Sequence, residues 1–331
     1  EFFDEIAKKV TQTSSNVDIA EESNILANMT LDKALRLGAK NAQEGRLKEA
    51  AKVYSDILSK FPNNNKARRG LKALQRAQNA NPPKEVLDPI LETYKKGNYQ
   101  KALDGASKLQ TEFPNSLVLC NLTGTCCAQL EYYDRAIECY KKALTINPHY
   151  AEAYYNMGVA YRNSGDIKAA ITSYQKAIET RPNSPIFHNE LGITLQKNMD
   201  TEGAIEQFKK AISIDPNYCD ALYNLGVSFK EAGEYNDAIL AFENVIKIQP
   251  KYVQAYNNLG VVYTNLDDKA KAISNFERAI SLRPDERTLL NLGLAYYSSG
   301  KLSAAIECYD RVLKISGNCY DAYNNKGVAL R

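Results

Sequence analysis

The sequence predicts an all-α fold in which helix–turn–helix units stack one on the next into a solenoid, and three observations predict it. A glycine recurs at 124, 158, 192, 226, 260, 293 and 327, in steps of 34 residues except for one of 33 between Gly260 and Gly293. A proline recurs in matching phase at 148, 182, 216, 250 and 284. Between these markers apolar residues fall at helical spacing, as in Ile171, Tyr174 and Ile178. A compact globule of 331 residues is expected to divide into domains, but stacked repeats need no single core.

Counting Ala151 as position 1, position 8 is the recurring glycine and position 20 is Ala136, Ala170, Ala204, Ala238, Ala272 and Ala305. Both are small, so two helices are expected to approach closely where these positions meet. Position 24 is aromatic (Tyr140, Tyr174, Phe208, Phe242, Phe276, Tyr309) and is expected to fill the space beside that contact. Position 27, mostly alanine, lets the next unit pack down. Proline at position 32 cannot continue a helix and pushes the residue before it out of the helical region. Glycine at position 15 (Gly165, Gly233, Gly300) suits a left-handed turn after the first helix. Each unit therefore reads as helix, tight turn, helix, short loop.

Taken in chain order, residues 1–30 match no unit; "EFFDEIAKKV" reads as a short amphipathic helix and the rest as linker. Residues 31–64 form one good unit, with Gly38, Gly45, Ala50, Tyr54 and Pro62. The period breaks at 65–82, where "NKARRGLKALQRAQ" reads as a basic helix followed by the punctuation "NANPPK". The 83–116 unit keeps Gly97, Ala102 and Pro114 but has Ile90 at position 8, and Pro89 predicts a kink or late start in its first helix. Units then begin near 117, 151, 185, 219, 253 and 286, and another, starting at Tyr320, is cut at Arg331. The expected organisation is a tail at 1–30, an isolated repeat with its basic helix at 31–82, and a main array at 83–331.

The 34-residue period, with this order of Gly, Ala, aromatic, Ala and Pro, resembles the tetratricopeptide repeat over roughly four-fifths of the chain. The resemblance implies tetratricopeptide helix–turn–helix repeats stacked into a right-handed superhelical solenoid, with the first helices on the concave face. Positions 2, 5, 6, 9, 12 and 13 are then expected to face a groove. Position 6 gives Asn156, Asn224, Asn258, Asn291 and Asn325, with Glu190 and Leu122 as exceptions. A carboxamide both donates to and accepts from a peptide backbone, so such a row suits an extended protein segment. The same residues equally suit bonds within the scaffold. The row resembles the groove of the tetratricopeptide arm of O-linked N-acetylglucosamine transferase. Position 5 adds Tyr155, Tyr223, Asn189 and Asn257; position 12 adds Arg162 and Lys230; position 9 is apolar in Val159, Ile193, Val227, Val261 and Leu294. The lysine and asparagine pattern by which some family members clamp acidic C-termini is missing at positions 5 and 9.

Charge is uneven although the net is only +3. Residues 1–30 hold six acidic and two basic side chains, and residues 31–82 hold twelve basic and four acidic. Arg68, Arg69, Lys72 and Arg76 cluster on and near one face of the basic helix, as a solvated outer face or as a site for an anionic partner or for the acidic 1–30 segment of the same chain. The remainder is mixed in charge, with no basic stripe for nucleic acid. No apolar run reaches the ~20 residues of a membrane span. The seven cysteines mostly occupy slots that hold Tyr, Ala or Val in sister repeats, which fits reduced thiols in a cytoplasmic, reducing compartment.

His149 and His188 have no Cys or His at ligand spacing, so no metal and no cofactor are expected. No phosphate-binding loop, HExxH, GxSxG or Cys–His pair is present, and no enzyme activity is expected of the chain itself. The expected function is a protein–protein interaction scaffold that binds peptide segments in the concave groove. The alternative is a substrate-presenting arm of a larger transferase, a glycosyltransferase first, truncated in this chain. Self-association through the uncapped C-terminal helix, including Val328 and Leu330, is a further expectation.

Overall fold

The computed structural model describes residues 25–27, 29–44, 46–78 and 81–331. The expected helix "EFFDEIAKKV", Gly45 and part of the break after the basic helix lie outside the described residues. Among the described residues there are eighteen α-helices, one short 3-10 helix at Ile25–Ala27, and no strand. They fall into two compact units, one ending at Tyr132 and one running from Tyr133 to Arg331.

The first unit contains α1 (Leu31–Gln43), α2 (Leu47–Lys60), α3 (Asn65–Gln78), α4 (Lys84–Lys95), α5 (Tyr99–Glu112) and α6 (Leu117–Gln129). Ala34, Ala50, Val53, Tyr54, Ile57, Ala67 and Leu74 bury together, with Leu26 packed in from the 3-10 turn. The Ile25 amide donates to Asp56 Oδ2 at 3.1 Å and fixes that turn to α2. The Tyr54 ring lies between two glycines, Gly38 on α1 and Gly70 on α3; a Cβ at either would come within 3 Å of the ring. The basic helix thus packs on the isolated repeat as a further helix would.

Helix α4 begins at Lys84 and runs through Pro89, so it does not start late. Proline there removes one backbone bond, the one to the Glu85 carbonyl. The small and large partners are also exchanged in this repeat. Ile90 stands at the glycine position, and Gly105 on α5 makes room for it, with 3.2 Å between the ideal Cβ position and the Ile90 side chain.

The second unit holds α7 (Tyr133–Ile146) and then five helix pairs. These are α8 (Ala151–Ser164) with α9 (Ile167–Thr180), α10 (Pro185–Lys197) with α11 (Thr201–Ile214), α12 (Cys219–Ala232) with α13 (Tyr235–Ile248), α14 (Val253–Asn265) with α15 (Lys269–Leu282), and α16 (Glu286–Ser298) with α17 (Leu302–Ile315). The last helix is α18 (Tyr320–Ala329). Asp166, Asp200 and Asp268 cap α9, α11 and α15 by accepting from the backbone N–H three residues on. Helices α7, α9, α11, α13 and α15 each end just before a position-32 proline, and α17 ends before Gly317 in the same place.

The ring at position 24 is fully enclosed: Tyr174, Phe208, Phe242 and Tyr309 are 0% exposed. In each of these four pairs a Cβ added at the position-8 glycine would sit 2.5–2.8 Å from a ring carbon. Burying each ring is worth roughly 1.5–3 kcal/mol, and the glycine is what allows it. Within this unit first helices touch the next first helix directly, as in α10 with α12, α12 with α14, α14 with α16 and α16 with α18, whereas second helices do not approach one another comparably. The stack therefore closes toward its first-helix side, and the residues of that side share one face.

Candidate functional site

The first-helix face is built from a few side chains on each of several successive first helices. Asn156, Tyr155 and Arg162 come from α8, and Asn189 and Glu190 from α10. Tyr223, Asn224 and Lys230 come from α12, and Asn257 and Asn258 from α14. Asn291 lies on α16 and Asn325 on α18. All the sequence-selected groove residues thus stand on first helices.

Most of them are bonded from one first helix to the next. The Arg162 guanidinium donates to Glu190 Oε2 at 2.5 Å, a half-buried ion pair joining α8 to α10. Asn224 Nδ2 donates to Asn189 Oδ1 at 3.0 Å. Asn258 is the most committed: its Nδ2 donates to Tyr223 Oη and to the Gln254 carbonyl, both at 3.0 Å, while its Oδ1 accepts from Lys230 Nζ at 2.8 Å. Asn257 Oδ1 lies 3.2 Å from the Thr288 hydroxyl, which donates to Asp285 Oδ2 at 2.7 Å. Asn156 is also partnered. The amide row is therefore, in large part, a seam between helices.

The two position-5 tyrosines sit among aromatic neighbours. Tyr155 stacks on Phe187 at 5.2 Å and tilts against Tyr174 at 5.9 Å; Tyr223 tilts against Phe242 at 5.9 Å and Tyr252 at 5.3 Å. Burial, and then the Glu190 carboxylate, push the Tyr155 hydroxyl up to about 12. Burial also draws the Lys230 ammonium below its ordinary value.

A stretch of the face is open. Between α14 and α16 lies a hollow of about 370 Å³, lined by Val261, Thr264, Phe276, Asn291, Leu294 and Tyr297 and by neighbouring Asn265, Ala295 and Ser298. Sequence reasoning marked Val261, Leu294 and Asn291 as groove positions and noted Glu190 only as an exception to the amide row, but missed Thr288 and the hollow itself. The readable signal was at position 12, where Thr264 replaces the long Arg162, Gln196 and Lys230 of the preceding repeats.

The basic-helix candidates belong to the first unit. Arg68, Arg69 and Lys72 are exposed on α3, and Arg68 Nη2 donates to the Pro62 carbonyl at 2.7 Å. The side chain of Arg76 lies outside the described residues. His188 works in the scaffold: Nε2 donates to the Pro182 carbonyl at 3.0 Å and Nδ1 faces the Gln207 side-chain amide at 2.9 Å. Among the described residues no three His, Cys, Asp or Glu side chains gather as a metal site, and no helix is long and apolar enough to cross a membrane. Tyr320, Tyr323, Val328 and Leu330 on and just after α18 are exposed.

Comparison with known proteins adds the family. A profile described as TPR repeat matches residues 127–165, 200–233 and 228–267. Two described as tetratricopeptide repeat match 151–184, 253–286 and 287–319, and 173–206. Together the matches run unbroken from 127 to 319. No curated protein matches. Among solved structures, the C-terminal part of a TPR repeat-containing protein from Cytophaga hutchinsonii is similar at 18% identity and TM-score 0.61, over 72% of this chain and 98% of that one. A tetratricopeptide repeat protein from Parabacteroides merdae is similar at 15% identity and TM-score 0.55, over 75% and 98%. A chain of the APC/C hetero-tetramer Cut9-Hcn1 is similar at 19% identity and TM-score 0.54, over 91% of this chain and 56% of that one. At these identities the likeness is one of fold.

Proposed function

The chain belongs to the tetratricopeptide repeat family, and on that premise we propose that it is a protein-interaction scaffold holding a partner segment against the first-helix face of residues 151–331. The observation that carries this reading is the composition of that face. It combines amides, two tyrosines and apolar position-9 side chains with one open hollow, a surface suited to a peptide rather than to a highly charged ligand. No catalysis is assigned to the chain. The seven cysteines are free thiols, five of them buried as small apolar residues, which supports a reducing compartment such as the cytoplasm.

The transferase-arm alternative takes its first guess, a glycosyltransferase, from the asparagine row. Asn224 and Asn258 are committed to inter-helix bonds, so the row does not favour that alternative, and it is not carried further.

The test is peptide-array binding by the wild-type chain and by Asn257→Ala/Asn291→Ala/Asn325→Ala. Binding of many peptides is expected to weaken together while far-UV circular dichroism stays unchanged. If no peptide binds the wild type, or if the triple variant binds as well, the proposal fails.

A further inference from the structure

We infer that the hollow between α14 and α16 receives a basic side chain, arginine or lysine, of the bound protein segment; the inference rests on the groove reading above. It comes from comparing the same slot in sister repeats. Between α8 and α10, Arg162 at position 12 crosses the cleft, its Cζ 5.8 Å from the Tyr174 ring centroid and its Nη1 2.5 Å from Glu190 Oε2 at position 6 of the next repeat. Between α12 and α14, Lys230 at position 12 reaches Asn258 Oδ1 at position 6, 2.8 Å away. Between α10 and α12, Gln196 accompanies the Asn189–Asn224 bond and donates to Glu231 at 3.3 Å.

Between α14 and α16 the receiving parts remain and the long side chain is missing. Thr264 stands at position 12 and turns its hydroxyl back to the Gly260 carbonyl at 2.8 Å. Phe276 holds the place of Tyr174, and Asn291 holds the place of Glu190 and Asn258. Val261 and Leu294 offer apolar walls for an aliphatic stem.

The electrostatics agree with a cation. Thr264, Asn265, Tyr297 and Ser298 bring the last turns of two helices to the hollow, where carbonyl ends carry partial negative charge. The exposed Tyr297 ring lines the hollow and can attract a cation. No basic side chain lines the hollow to repel one. Position 5 is tyrosine in two sister repeats, Tyr155 and Tyr223; here it is Asn257, whose Oδ1 lies 3.2 Å from the Thr288 hydroxyl.

The probes are n-propylguanidinium and n-butylammonium chloride, with p-cresol and sodium chloride as controls. They are titrated into the full chain while the Val261 and Leu294 methyl resonances are followed. Saturable shifts with the two cations are expected. They should weaken by roughly tenfold or more in Thr264→Arg, which supplies the missing side chain from the protein itself. Thr264 is exposed, so this variant should keep its fold, checked on methyl resonances far from the site. Saturation by p-cresol and not by the cations, or equal cation binding in Thr264→Arg, overturns the inference. A peptide array run in parallel separates the two proposals. Peptides that bind without preference for Lys or Arg overturn the hollow assignment and leave the groove reading standing. Cations that fill the hollow while no peptide binds overturn the groove reading and support the hollow's chemistry.

Discussion

At position 15 the backbone is left-handed in all seven repeats from 83 to 319. Gly97, Gly165, Gly233 and Gly300 have φ between 73° and 92°, and Glu131, Met199 and Asp267 have φ of 62°, 63° and 57°. The four glycines announce this turn in the sequence; the other three residues hide it, because stacking imposes the turn whichever side chain is present. An L-residue pays about 1–2 kcal/mol there, partly offset by the greater unfolded-state freedom of glycine. Met199, 90% exposed, has little packing to lose, so Met199→Gly should stabilise by about 0.5–1 kcal/mol in urea unfolding. Tyr309 makes a related point: its ring is fully buried and its hydroxyl has no partner among the described residues. Phe208, Phe242 and Phe276 fill the same slot without that cost, so Tyr309→Phe should raise stability by roughly 1 kcal/mol. Alkaline pH should act in the opposite direction. Burial, with Cys127 alongside, pushes the Cys126 thiol up to about 12, and burial pushes Tyr94 and Tyr155 to about 12 as well. The folded state then holds protons that the unfolded state releases from about pH 9 upward, so stability is complete below that and falls as pH rises toward 12. Urea midpoints between pH 8 and 11 check the sign, and Cys126→Ala should flatten the first part of the decline.

At the scale of elements, the helix pairs and their partners were readable because each slot has one physical requirement. Small residues at positions 8 and 20, a ring at 24 and a proline at 32 leave few other arrangements. The exchange of sizes at Ile90 and Gly105 was not readable, since each residue alone looks like a departure and only the contact shows the compensation. The asparagine row was visible as a row on first helices, but its bonding was not. Whether an amide faces a ligand or the next helix depends on what stands one repeat away. Asn258 finds Tyr223 and Lys230 within reach, and Asn291 faces the hollow beside Thr264. Asn258→Ala should therefore cost about 1–3 kcal/mol of stability, by leaving Lys230 and Tyr223 without their partner, and Asn291→Ala should cost under about 0.5 kcal/mol. Paired denaturation curves decide this; equal losses would mean the two amides play the same part.

Across the second unit, the repeats act together by placing their first helices on one side. That side is where a partner segment would meet several repeats at once, and many modest contacts sum along it. The division at 82/83 between an isolated repeat with its basic helix and the main array stays our proposal, resting on the broken period and on Pro82–Pro83. The central claim is that partners bind the first-helix face and not the second-helix face. The most direct measurement compares peptide-array binding by Leu294→Lys and Leu240→Lys. Both leucines are exposed, at 46% and 59%; Leu294 lies on first helix α16 and Leu240 on second helix α13. The account predicts that Leu294→Lys loses most peptide binding and Leu240→Lys keeps it, with both chains equally helical. Equal effects of the two substitutions, or loss only with Leu240→Lys, would contradict it.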